Sequence, residues 1–333
     1  MEQLSAGKKL DRAFDKLGKK HTLSFELDLD TDAASLKALD AKSDPAPGDE
    51  MPDEAAKLLS DAKIAVTVES KKPLDESGDK DLVGMAMKIS SPAGALAEYR
   101  LIGDYAYLRA DFKKIGKLTG TPVPGAEELP PQAGALKNVL AGKWVKFDAK
   151  ETRKAAAGGQ GSHGSPAPAP SLDAATQKKL GAAVRQVVAR DVHLKTVDGE
   201  DGTEHVTATA PFRKLVSELL GKVRPLLAKD LPQGMELPTA KDLKDAPNAK
   251  VTADFTLKNG DLTEVDVDLA KLAETAKVKK LGLRVRLGEG TRPTVPAGAA
   301  KLDMKDLMQG FFGGAPTGDS SFAESDLSGL DAS

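Results

Sequence analysis

The chain opens with a helical pattern that changes abruptly into a strand pattern. Between residues 5 and 19, Leu10, Phe14 and Leu17 recur at helical spacing with charged residues between them. From Leu23 to Leu29 every second residue is apolar, and serine, glutamate and aspartate stand between. The first segment predicts an amphipathic helix, and the second predicts a strand of an antiparallel sheet with one face toward water.

The same alternation recurs along most of the chain and predicts eleven strands. One pair of strands is joined by Asn259-Gly260, the dipeptide that a type I′ turn favours. Residues 30–48 are rich in Asp, Ala, Ser and Pro and predict an irregular segment, whereas Pro52 is placed to begin a short helix to Asp61. The other ten strands are predicted at 64–68, 83–89, 99–101, 105–107, 144–147, 192–194, 203–210, 251–257, 262–267 and 281–287.

The opening helix-then-strand order returns after a stretch of low complexity. Residues 151–171 are rich in Gly, Ala, Ser and Pro and predict a linker, because they bury too little side chain to offset the entropy lost on ordering. Leu180, Val184 and Val187 then repeat the helical stripe, and a strand follows at nearly the same offset. We therefore expect two related helix-plus-sheet parts, 1–150 and 172–290, followed by a mostly irregular tail at 291–333.

The amino-acid composition restricts the kinds of partner and chemistry that we expect. The 333 residues contain 48 basic and 50 acidic side chains, for a net charge of −2, and no basic block suits a phosphate backbone, so nucleic acid is not expected. Cysteine is absent, which excludes disulfides and thiolate chemistry within the sequence. No run of about eighteen consecutive apolar residues, the length that a membrane-spanning helix needs, is present. The first residues lack a secretory pattern and predict a cytoplasmic protein if Met1 is the native start, or an envelope protein if a signal segment has been removed.

Motifs of enzymes and metal sites are nearly missing. The sequence has no dinucleotide-binding glycine motif, phosphate-binding loop or zinc-protease motif, so neither an enzyme nor a cofactor is expected. His193 and His205 lack a third ligand nearby, and no metal site is predicted from them. The alternating Asp28, Asp30 and Asp32 lack the glycine and distant glutamate of a calcium loop and are interpreted as solvation of a strand end.

The residues that could contact a ligand are apolar. Strand alternation predicts that they share one face of the sheet, and flexible methionines suit an adaptable cavity wall as well as a packed core. Both interpretations stay open on this pattern. The predicted wall consists of Leu23, Phe25, Leu27, Val66, Met85, Met87, Phe255 and Leu257.

Three short segments carry a family resemblance. Residues 103–109 (Gly-Asp-Tyr-Ala-Tyr-Leu-Arg), 142–148 (Gly-Lys-Trp-Val-Lys-Phe-Asp) and 258–265 (Lys-Asn-Gly-Asp-Leu-Thr-Glu-Val) resemble strand and turn phrases of the actinobacterial LppX/LprG-type envelope lipoproteins, and more remotely of the LolA/LolB carriers. The resemblance extends over Leu4 to Gly290 and implies an α+β half-barrel of about eleven strands, covered by helices, that takes up a lipid or acyl chain. Family members also carry a signal peptide ending in a lipid-modified cysteine, and this sequence contains neither.

The expected function follows from the resemblance and the apolar face. We expect an extracytoplasmic, non-enzymatic monomer that carries or senses a lipid or other apolar ligand, with membrane contact if it is natively lipidated. The alternative is an envelope structural or interaction module whose core is fully packed. A last apolar cluster, from Leu302 to Phe312, is expected to dock as a short helix ahead of a disordered acidic end.

Overall fold

The structure is a computed structural model. It describes residues 2–46, 48–119, 123, 125, 127–128, 134–150, 174–227, 239, 243–244 and 247–302. The linker predicted at 151–171 and the cluster beyond Leu302 lie outside the described residues.

The first helix and strand form where the pattern predicts them. Helix α1 spans Glu2–Gly18, and strand β1 spans Thr22–Thr31. The helix buries Leu10 but leaves 49% of Phe14 exposed, although both belong to the predicted stripe. Phe14 still meets Phe255 edge-on, with the ring centroids 6.3 Å apart.

Six further α-helices and eleven further strands are found in the described residues. The helices are α2 (Ala33–Lys42), α3 (Asp53–Asp61), α4 (Phe112–Thr119), α5 (Gly134–Leu140), α6 (Ala174–Asp191) and α7 (Phe212–Leu227). The strands are β2 (Lys63–Ser70), β3 (Leu82–Ser91), β4 (Gly94–Ile102), β5 (Tyr105–Ala110), β6 (Val145–Asp148), β7 (His193–Asp198), β8 (Thr203–Pro211), β9 (Lys250–Lys258), β10 (Asp261–Asp268), β11 (Leu281–Gly288) and β12 (Ala300–Lys301).

All twelve strands form one open, curved sheet, so the predicted α+β antiparallel architecture is confirmed. The order across the sheet is β12-β6-β5-β4-β3-β2-β1-β11-β10-β9-β8-β7, and β12 against β6 is the one parallel pair among the described strands. Strand β1 lies inside the sheet and pairs with both β2 and β11. The eleven predicted strands all form, and the twelfth was not predicted because two residues in an Ala-, Gly- and Pro-rich stretch show no alternation.

Helix α2 corrects the prediction of an irregular segment at 30–48. The carboxylate of Asp32 accepts a hydrogen bond of 2.7 Å from the backbone nitrogen of Ser35, which caps the helix. Leu36 and Ser35 are buried on its inner face. The composition suggested a turn, but an aspartate cap followed by alanine and leucine is equally compatible with a short helix.

The predicted type I′ turn between β9 and β10 is confirmed by the backbone. Asn259 has φ of +53° and Gly260 has φ of +76°, so both central residues adopt the left-handed conformation. The hairpin aligns Leu257 with Leu262 and Phe255 with Val265.

Two clusters of buried apolar side chains lie over β7–β10. In the first, Ala6, Leu10 and Ala13 of α1 pack against Val206, Leu257 and Leu262. In the second, Val192, Ala208 and Ala210 are packed by residues of α6, α7 and β9. Helix α1 therefore covers strands of the second part of the chain, although it precedes β1 in sequence.

After β11 the chain crosses the other side of the sheet as an extended strap, residues 289–302. Gly290 approaches Ser24 and Thr67 so closely that an added Cβ would lie 2.6 Å from the Thr67 side chain. Farther along, Arg100 donates a 2.7 Å hydrogen bond to the carbonyl oxygen of Thr294, and Pro293 is buried. The sequence predicted irregular backbone here, but not the course that it takes.

Candidate apolar ligand site

Strand pairing places all eight predicted wall residues on one face of the sheet. Phe25, Val66 and Met87 stand opposite one another in adjacent strands. The row that begins at Leu27 continues through β11 and β10 to Phe255. The eight residues of this face are Leu23, Phe25, Leu27, Val66, Met85, Met87, Phe255 and Leu257.

Two of these residues belong to the packed part of the face. Leu257 is only 1% exposed and lies in the cluster under α1. Phe255 packs against both buried clusters and also contacts Phe14. These two side chains fill the core beneath the helices, which leaves no room for a ligand at Leu257.

The other six form what we call the open apolar face: Leu23, Phe25, Leu27, Val66, Met85 and Met87. Five of them are half-buried, and Met87 is 37% exposed. Neither buried apolar cluster of the described residues includes any of the six. A row of large apolar side chains across three adjacent strands is therefore left only partly covered.

Helices lie beside the open apolar face. The cluster under α1 reaches Leu287, the strand partner of Phe25. Helix α3 packs against β1, a strand of the face itself, and α4 packs against α3. Leu59 of α3 remains 44% exposed.

The opposite face of the same strands is polar and internally paired. Arg286 Nη1 lies 3.0 Å from Glu26 Oε1 and 2.8 Å from Asp28 Oδ1. Arg284 Nε lies 2.6 Å from Asp266 Oδ1, and Lys280 Nζ lies 2.7 Å from Asp30 Oδ1. This ladder of ion pairs joins β1 to β11 and β10.

Ionisation on the polar face follows from these neighbours. Partial burial opposes the charge of Glu26, but hydrogen bonds and attraction from Lys63 and Arg286 outweigh it, so its pKa lies below the ordinary value. Glu264 behaves in the opposite way, because burial and the nearby Asp266 raise its pKa. The pKa values of these two glutamates are therefore shifted in opposite directions.

A second polar cluster lies near the sheet edge at β6. The guanidinium groups of Arg100 and Arg109 lie 4.9 and 5.0 Å from the ring centroid of Trp144. Both arginines also contact Glu98, which is 8% exposed. The cluster satisfies its own charges and uses Trp144 for packing.

One cavity of the described residues lies away from the open apolar face. It measures about 530 Å³ and is formed at the ends of β4 and β5 by α4 and the turn after α5. Its charged residues are balanced, because Arg109 pairs with Glu98, Lys114 with Asp111 and Lys113 with Glu127. None of the six residues of the open apolar face lines this cavity.

The polar candidates of the sequence have structural roles. Asp28 and Asp30 are ion-paired and Asp32 caps α2, so none of the three is available to a cation. The register sets His205 opposite Val197, and His205 Nδ1 lies 2.8 Å from Asp254 Oδ1. Within the described ranges, no three His, Asp or Glu side chains converge as metal ligands.

In the described part of the chain, no helix combines the length and the apolar character that crossing a bilayer requires.

Comparison with known proteins gives likenesses among solved structures only. No protein-family model matches the sequence, and no curated protein matches it. The structure is similar to the lipoprotein LppX of Mycobacterium tuberculosis, at 9% identity and a TM-score of 0.34, covering 88% of this chain and 98% of that one. It is also similar to LprF of Mycobacterium bovis, at 10% identity and a TM-score of 0.37, covering 89% and 98%.

Proposed function

We propose that this protein is a non-enzymatic binding protein of the cell envelope, which holds an acyl chain or a similar apolar ligand on the open apolar face. The sequence resemblance of residues 103–109, 142–148 and 258–265 to envelope lipoproteins supports the location. The ligand chemistry rests on the face itself.

The observation that carries the proposal is the contrast between two parts of one apolar face. Over β7–β10 the helices seal it, and Leu257 is 1% exposed. Over β1–β3 the same alternation continues, yet Met87 is 37% exposed and its row neighbours are half-buried. Large contiguous apolar patches on a protein surface mark sites of contact with a protein, a membrane or a ligand.

Burial alone supplies the binding energy. Each methylene that leaves water contributes about 0.8 kcal/mol, so an acyl chain lying across several strands gains binding energy without a single hydrogen bond. Methionine side chains at positions 85 and 87 adapt to the chain because they are unbranched and polarisable. The charged residues of the opposite face are occupied with one another, and no reaction step is part of the proposal.

A matched pair of substitutions on β3 tests the site. Met87→Glu places a charge on the open apolar face, where a bound acyl chain would have to desolvate it, and we expect affinity for a fluorescent long-chain fatty acid to fall at least tenfold. Ser90→Glu places the same side chain on the polar face of the same strand, opposite Lys63, and affinity should be unchanged. Fluorescence titration at neutral pH measures both variants.

Three results would count against the proposal. The proposal would be contradicted if the unmodified protein bound no fatty acid. It would also be contradicted if protein extracted from its native envelope carried no lipid. If Met87→Glu and Ser90→Glu lost affinity for the fatty acid equally, the ligand would not bind on the open apolar face.

A further inference from the structure

We propose that the protein selects its ligand by the length of one acyl chain, and that Phe14 of α1 is the stop against which the methyl end of that chain rests. The inference rests on the proposed function and adds to it the class of ligand. That class is an amphiphile with a linear chain of limited length and an anionic head group.

Phe14 belongs to the apolar stripe of α1 but is not buried with the other residues of that stripe. Leu10 is 7% exposed and Ala13 is fully buried, whereas 49% of Phe14 is exposed. One side of the Phe14 ring meets Phe255 edge-on, at 6.3 Å between centroids. A large apolar ring with one packed side and one open side is suited to contact with an apolar ligand.

Two lysines of α1 show which way Phe14 points. Lys9 Nζ lies 2.9 Å from Glu204 Oε1, and Lys16 Nζ donates a 3.3 Å hydrogen bond to the carbonyl oxygen of Asn259. Both lysines therefore reach the turn ends of β8 and β9. Phe14 lies about 200° around the helix from Lys16, because an α-helix turns by about 100° per residue. The ring thus points away from the turns and toward the middle of the apolar face.

A row of half-buried side chains leads from Phe255 to the open apolar face. Phe255 stands opposite Val265 in β10, and Val265 stands opposite Val285 in β11. Val285 stands opposite Leu27, which belongs to the open apolar face. In the other direction, Phe255 stands opposite Val206, which is 0% exposed in the cluster under α1. The accessible part of the row therefore ends at Phe255.

The other end of the same row reaches a charged cavity. From Leu27 the row continues through Ile64 and Ile89 to Ala97 in β4. Ala97 is one of the residues that line the cavity of about 530 Å³ described above. The basic residues of that cavity are Arg109, Lys113 and Lys114. An acyl chain on this row therefore has an apolar end at Phe14 and a charged end at the cavity.

Lys113 is suited to hold an anionic head group. Lys113 Nζ lies 4.0 Å from Glu127 Oε1, and the two side chains are 66% and 73% exposed. Such an ion pair is weak, because water screens both charges. A ligand carboxylate can therefore replace Glu127 beside Lys113, which fixes one end of the ligand while the chain extends toward Phe14.

The distance between the two ends limits the length of the chain. From β4 to β9 there are six strand spacings, or about 29 Å. An extended chain advances about 1.2 Å per bond, as an extended polypeptide backbone does, so the row holds a linear chain of up to about 24 carbons.

The dependence of affinity on chain length tests the stop. In a series of saturated fatty acids, each delivered from cyclodextrin, displacement of the fluorescent fatty acid gives the affinity of each length. For the unmodified protein, affinity should rise with each methylene up to a limiting length and then level off. In Phe14→Ala the limit should move up by about four carbons, the length of one strand spacing. In Phe14→Trp the limit should move down.

Tyr105→Ala is the matched control. Tyr105 is a similarly exposed aromatic residue, at 45%, and it stands opposite Asp148 on the polar face. Its replacement should leave the limiting length unchanged. If Phe14→Ala does not fold, Phe14→Leu gives the same test with a smaller upward shift. An unchanged limit in the Phe14 variants would overturn the stop, and so would an equal loss of affinity at every chain length.

The charged end is tested with Lys113→Ala. This variant should bind every fatty acid about threefold to tenfold more weakly, with the same limiting length, and should bind the uncharged methyl esters as the unmodified protein does. Unchanged affinity for the acids would overturn the placement of the head group. If no fatty acid of any length binds to the unmodified protein, the proposed function itself fails. If fatty acids bind without a limiting length, the proposed function stands and the role of Phe14 is wrong.

Discussion

At the scale of single residues, burial separates side chains that the sequence pattern treats alike. Leu257 and Met87 both occupy apolar positions of alternating strands, but one is 1% and the other 37% exposed. Alternation specifies which face a side chain takes, because successive Cβ atoms point to opposite sides of a strand. It carries no information about what lies above that face.

The two residues should therefore differ sharply in their contribution to stability. Leu257→Ala removes buried methyl groups from the cluster under α1 and should lower the free energy of unfolding by about 2–5 kcal/mol. Met87→Ala, at a partly covered position, should cost less than about 1 kcal/mol. Urea denaturation of both variants decides the matter, and equal costs would mean that the face over β3 is as tightly packed as the face under α1.

A second residue prediction concerns pH. Hydrogen bonds from Arg190 and then from Lys214 lower the pKa of Asp191 below its ordinary 3.8, and the carboxylate is buried. A lowered pKa in the folded state means that the stabilisation is complete above pH 3.8 and is lost as the pH falls through the lowered value.

Asp191→Asn should therefore lower the melting temperature at pH 7, and its difference from the unmodified protein should shrink steadily below about pH 3.8. Asp198→Asn, at the exposed end of β7, serves as the control and should change little at either pH. A deficit of Asp191→Asn that stays constant down to pH 2 would exclude the ion pairs as its cause.

At the scale of elements, the local sequence predicted most strands correctly. It did not predict helix α2, which depends on a helix cap. The hairpin β9–β10 was predictable because Asn259-Gly260 fits a turn that needs two left-handed residues. Helix α2 was missed because its Ala, Ser and Asp composition also suits a turn, and the deciding hydrogen bond from Ser35 to Asp32 is a fact of geometry. The ion ladder between β1 and β11 was missed because only strand pairing brings Arg286 to Asp28.

The hairpin turn yields an element-scale prediction. In Gly260→Ala the backbone has to keep φ near +76° although residue 260 now carries a Cβ atom. This conformation costs about 1–2 kcal/mol and should lower the melting temperature. Gly288→Ala is the matched control, because no atom approaches its Cβ position within 4 Å and its φ is ordinary for an L residue. Equal melting temperatures for the two variants would show that the turn tolerates a side chain.

At the scale of the whole molecule, the sheet order was beyond the sequence. Alternation predicted eleven strands and their faces, and the resemblance implied one continuous sheet, but no local signal tells that β1 pairs with β11. The two related parts predicted from the repeated helix and strand remain a prediction, and α1 packs on strands of the other part. The ligand wall was predicted as eight equivalent residues, and only the packing of α1 distinguishes Phe255 and Leu257 from the other six.

The central position of β1 also governs the order of assembly during synthesis. Asp28 and its partner Arg286 are 258 residues apart, so the first strand to leave the ribosome waits for the last long one before both of its edges are paired. Until then, a nascent chain exposes one unpaired edge of β1 beside its most apolar row, a state prone to aggregation and open to chaperones.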